Sequence, residues 1–151
     1  LQDLVDARRW DIYADPFADK AAFDSYLLNT SGNLYAVAAS VLGPCDVDVV
    51  KRLGAAFGFA QFMQAIPALQ NAGKRPLDDG RSETLATRAA EVQRALPLRR
   101  QIAKPSQWAL LSGYQAEWII KQVIKTPERV IDGIGDPSPF LDRYLFMKAR
   151  F

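Results

Sequence analysis

Between Leu53 and Leu77 the chain reads LGAAFGFAQFMQAIPALQNAGKRPL, an apolar helix that meets a proline and then a Gly-Lys-Arg turn. The side chains there that could do chemistry are Gln61, Gln64, Gln70, Asn71, Lys74 and Arg75, with no carboxylate among them. Lysine and arginine suit phosphate oxygens even without a metal, and glutamine adds weaker hydrogen bonds. Magnesium asks for hard oxygen ligands, which this stretch does not supply from acids. Upstream, Asp11 and Asp15 stand four apart, a spacing that on one helix face could hold a cation. Pro16 follows at once, so Asp15 also reads as a turn residue. Downstream, Arg94, Arg99, Arg100 and Lys104 gather around Pro97, a cluster suited to acidic headgroups or an acidic partner and also to a plain solvated face. Phe57, Phe59, Phe62, Met63 and Trp118 could line an apolar tunnel, and their helical spacing equally suits a core.

Composition removes several classes of chemistry. The 151 residues include no histidine, which excludes a histidine base, imidazole metal ligands and a Ser-His-Asp triad within the chain. A single cysteine, Cys45, excludes an internal disulfide or a cysteine-rich zinc site and reads as structural. A net charge of +2 makes no case for nucleic acid. No apolar run reaches the length that spans a bilayer, and the charged start, LQDLVDARRWD, is not a signal peptide. The chain opens at Leu1 without methionine, from which either processing or residues upstream are expected.

Every periodic segment is helical. An amphipathic helix over residues 1–13 breaks at Asp15-Pro16. Asp19 caps a helix to about Leu42, with Phe23, Tyr26, Leu27, Thr30, Leu34, Val37, Ala38 and Val41 as its buried stripe and Gly43 as a left-handed C-terminal residue. Asp46 caps the next helix, which Pro67 bends or stops. Gly54 and Gly58, four apart, imply close backbone contact or room for something bulky. Ser82 starts a helix to about Ala95, Ser106 caps a long central helix over Gln107–Lys125, and Thr126-Pro127-Glu128 opens a short one. Ser138-Pro139 opens the last, ending near Lys148. The chain is expected to be all-α.

The opening stretch resembles the squalene/phytoene synthase family, whose late helix has the form L-G-x-A-F-Q-L-T-N-I-x-R-D-x-x-x-D followed by a G-R-x-Y-L-P turn. Leu53, Gly54, Ala56 and Phe57 match its start, and Gly73, Lys74 and Leu77 fall on the turn without a gap. Tyr26 and Gly32 resemble the family's preceding Y-C-x-x-V-A-G-x-V-G segment, and Asp11 the aspartate before it. The family's metal-binding aspartates would fall at Ala65 and Leu69, and Gln61 and Gln64 take the places of its asparagine and arginine. Gln64-Ala65-Ile66-Pro67, the basic turn, and Ala7-Arg8-Arg9-x-Asp11-Ile12-Tyr13-x-Asp15-Pro16 resemble a divergent alphaproteobacterial branch, whose mitochondrial relative acts in assembly of respiratory complex I.

The resemblance implies an isoprenoid-synthase-type bundle, with residues 1–151 as the C-terminal portion of the domain and its first helices upstream. It implies a non-catalytic binding or assembly module for a prenyl diphosphate or lipid, with Lys74, Arg75, Gln61, Gln64 and Phe57 as ligand contacts and no cofactor. The alternative is an active prenyltransferase that joins prenyl diphosphates and takes Mg²⁺ from ligands upstream. A protein partner in complex assembly, self-association, and a cytoplasmic location with contact to the inner membrane complete the expectations.

Overall fold

The computed structural model describes residues 2–12, 15–97 and 101–150. Tyr13, Arg99 and Arg100 lie outside the described residues, so the basic cluster around Pro97 is described only at Arg94 and Lys104. The described chain is helical throughout, without a strand. Its helices are α1 (Gln2–Ala7), α2 (Lys20–Leu27), α3 (Asn33–Leu42), α4 (Val47–Asn71), α5 (Ser82–Ala95), α6 (Lys104–Gln107), α7 (Ala116–Lys125), α8 (Arg129–Asp132) and α9 (Pro139–Arg150). A 3₁₀ turn, Arg8–Ile12, continues α1, and a π-helical turn, Leu28–Gly32, joins α2 to α3.

α4 is the axis of the molecule. Asp46 caps it, its carboxylate accepting from the N–H groups of Asp48 and Val49 at 3.0 and 3.1 Å. Around α4 pack the π turn, α3, α2, α7 and α8. Its middle is buried on nearly every side, from Leu53 through Ala60 to Ile66, and so carries apolar residues beyond a single stripe. α5 and α7 pair beside it, and α7 buries Ala116, Ile119, Ile120 and Val123. Gly54 and Gly58 are close-contact glycines. A Cβ on Gly54 would stand 2.8 Å from Tyr35 Cβ, and one on Gly58 2.5 Å from Ser31 Oγ. Gly58 also borders the cavity described below, so at that position close contact and open space meet.

Several local expectations are corrected. α2 and α3 form one helical run as foreseen, with Asp19 accepting from the Ala22 N–H at 2.8 Å. The buried stripe, however, holds only for Phe23, Leu27 and Thr30; beyond the π turn it passes to Tyr35, Ala36 and Ala39. Leu34, Val37, Ala38 and Val41 face outward. A π turn accommodates one residue more than an α turn, which rotates the following face by about one position. Gly43 has an extended φ of 166° rather than a left-handed one. Pro67 does not stop α4, which runs on to Asn71. The long helix expected over Gln107–Lys125 is broken into α6, a 3₁₀ segment at Trp108–Gly113, and α7. Ser106 is no cap; it is buried and donates to the Pro44 carbonyl at 3.3 Å. Thr126 does not open α8, whose N-cap is Glu128; it closes α7 instead, its N–H and its hydroxyl both donating back to the Gln122 carbonyl.

Candidate functional site

Gln61, Ala65 and Leu69 recur every four residues and therefore share one face of α4. That face borders a cavity of about 370 Å³. Thr30 and Ser31 of the π turn, Tyr26 of α2, and Arg8, Trp10 and Asp11 of the first 3₁₀ turn complete the polar lining. Lys74 reaches the cavity from the turn after α4, where Gly73 takes a φ of +78° that favours glycine. The π turn thus borders the cavity, a common use of such turns.

A three-residue network fixes the polar end. Arg8 donates to Asp11 Oδ2 at 2.8 Å, and the Tyr26 hydroxyl donates to Asp11 Oδ1 at 2.9 Å. Burial, helped by the Asp11 hydrogen bond, pushes the Tyr26 phenol up to about 12. The bond to Asp11 also raises the Arg8 guanidinium, so it stays charged at any working pH. Lys74 Nζ donates to the Asp11 backbone carbonyl and lies over the Trp10 ring, 5.6 Å from its centroid. Among the described residues, two cations, Arg8 and Lys74, thus border the cavity against one carboxylate, Asp11. No atom among the described residues accepts from the buried Trp10 indole N–H.

This donor set does not fit Mg²⁺. Asp11 is the one carboxylate that lines the cavity among the described residues, and each of its oxygens already accepts a hydrogen bond. Ala65 and Leu69 present no oxygen from their side chains. Among the described residues no group of three or more acids, cysteines or histidines is close enough to hold an ion. The arrangement suits an anionic oxygen group better than a cation.

Of the sequence candidates, Gln61 and Lys74 line this cavity, together with Asp11. Gln64 and Arg75 do not; Gln64 is half-buried elsewhere on α4 and Arg75 is exposed. Phe57 is a core residue, with its ring edge-on to Tyr35 at 5.3 Å and against Gly113. Phe62, four residues from Gly58, supplies the aromatic wall instead. Asp15 sits in an exposed bend, outside the lining. Trp10 was not singled out from sequence, and no spacing marks it. Arg8 entered only as part of the Ala7–Pro16 segment of the resemblance, with no role assigned to it, and its position three before Asp11 is the one local signal of the pairing.

A larger and more apolar cavity, about 430 Å³, lies between α2, α4 and α5. None of the sequence-derived polar candidates among the described residues borders it. Lys20 there is held by Asp24 and Glu91, and Arg88 by Asp78, so most of its cations are already paired. No family model, curated protein or solved structure matches this chain.

Proposed function

We propose that the chain is a squalene/phytoene-synthase-like helical domain that binds an anionic, apolar-tailed ligand without turning it over. The ligand class is a prenyl diphosphate or a lipid of the same head-and-tail chemistry, and the domain serves as a binding or assembly module. The supporting observation is the wall made by Gln61, Ala65 and Leu69 beside Lys74 and Arg8 in one cavity. The two cations attract the anionic head, and Phe62, Leu27 and Leu69 receive the start of the hydrocarbon tail. About 370 Å³ falls within the usual range of ligand cavities. Ionising a diphosphate, as the resemblance implies for the active family, calls for two aspartate-rich magnesium sites. The assembly role follows from the same resemblance and brings with it a protein partner.

Calorimetric titration with farnesyl diphosphate, with and without Mg²⁺, tests the reading. Binding is expected in both buffers alike. Lys74→Ala should weaken it by about tenfold or more, the loss of one charge-assisted hydrogen bond. Arg75→Ala, outside the cavity, should leave it unchanged. No heat in either buffer would overturn the reading. Binding that requires Mg²⁺ would overturn it in favour of the prenyltransferase, with metal ligands elsewhere in the full protein.

A further inference from the structure

α9 presents two unlike faces. Its inner face is anchored: Asp142 accepts from the Tyr114 hydroxyl at 2.8 Å and from Gln115 Nε2 at 2.6 Å. Phe146 meets Tyr114 edge-on at 5.5 Å, and Leu141, Leu145 and Ala149 are half-buried on the same side. The outer face carries Phe140, Tyr144 and Met147, which are 85%, 51% and 54% exposed. Their spacing of four and three residues puts them on one stripe. At 100° per residue, Arg143 and Arg150 flank that stripe on one side and Lys148 on the other. The one acid of α9, Asp142, is turned inward. Trp108, 53% exposed, extends the apolar surface beside α9, with the Arg150 guanidinium 5.9 Å above its ring.

We infer that α9 is an interfacial helix that lays the Phe140–Tyr144–Met147 stripe into the headgroup boundary of an anionic bilayer. Aromatic and apolar side chains on one face, edged by basic ones, are the composition such a helix needs. Arg143, Lys148 and Arg150 then meet lipid phosphates, which supply the complementary charge. Pairing two copies through this stripe would instead bring basic edges together. The inner hydrogen bonds hold α9 in the orientation that offers the stripe outward. This surface is separate from the ligand cavity and does not depend on its reading.

Cosedimentation of the 151-residue chain with phosphatidylcholine vesicles, with and without phosphatidylglycerol, tests the inference. Binding is expected to the anionic vesicles alone and to weaken with salt. Phe140→Ser with Met147→Ser should reduce it at least about tenfold. Arg143→Gln with Lys148→Gln should reduce it about fivefold per charge removed. Neither pair is buried, so circular dichroism and melting should be unchanged. Lys74→Ala should bind vesicles normally, which separates failure here from failure of the cavity reading. No binding to either vesicle, or binding that survives both double variants, would overturn the inference. So would a dimer at sedimentation equilibrium that Phe140→Ser with Met147→Ser dissociates, since a second copy would then be the occupant.

Discussion

Gly113 shows how much rests on one hydrogen atom. A Cβ there would stand 2.1 Å from Cδ2 of the Phe57 ring, itself fully buried on the molecular axis. Gly113→Ala is expected to cost about 1–3 kcal/mol by overpacking, read from urea unfolding. A mutant as stable as wild type would mean that Phe57 has room to turn aside. Tyr26 makes a second residue-scale prediction. Its phenol ionises near 12 in the fold and near 10 unfolded, so the folded state holds the proton more tightly. The stabilisation is complete below pH 10 and is lost as the pH rises from 10 to 12. In Tyr26→Phe, stability measured across that interval should fall less steeply than in wild type.

Among the elements, α4 depends on its start. Asp46 accepts from two of the helix's first N–H groups, so Asp46→Ala should cost about 1 kcal/mol in chemical denaturation. The segment after α4 is tied to α5 by Arg88, which grips Asp78 through two bonds of 2.9 and 2.7 Å. The hydrogen bonds from Arg88 depress the Asp78 carboxyl, so the folded state holds that proton less tightly than the unfolded chain. Its contribution is therefore present at neutral pH and lost as the pH falls through the carboxylate range. Asp78→Asn should lower the melting temperature at pH 7 and make little difference in strong acid. An equal loss at both pH values would assign its role to packing.

At the scale of the whole molecule, burial is uneven. α4 and α7 hold the fully buried Phe57, Met63, Ile66, Ile120 and Val123, whereas α9 has no buried residue. Amide exchange should therefore be slowest in α4 and α7 and much faster in α9, which can open without exposing the core. Uniform protection across all helices would contradict that division. The same unevenness leaves the outer stripes of α3 and α9 on the surface, among them Val41 and Phe140.

Helical periodicity and capping chemistry are local, so the all-α class and the caps Asp19 and Asp46 could be read from residue order alone, whereas Gly54 and Gly58 stayed open between close contact and free space until their neighbours were placed. The lack of histidine and the single cysteine likewise bounded the chemistry before any fold was considered. The π turn could not be read that way, because it arises from how the run after Leu27 packs on α4, and it alone decides that Tyr35 rather than Leu34 is buried. The break at Trp108–Gly113 has the same origin, since the Phe57 ring presses against Gly113 from across the bundle. The cavity is wholly a tertiary matter. Arg8 and Lys74 are far apart in sequence, yet one carboxylate-bearing residue, Asp11, gathers both by its side chain and its backbone carbonyl. Spacing proposed Lys74 and Arg75 as equals; packing drew only Lys74 inward, because adjacent residues leaving a helix turn point apart.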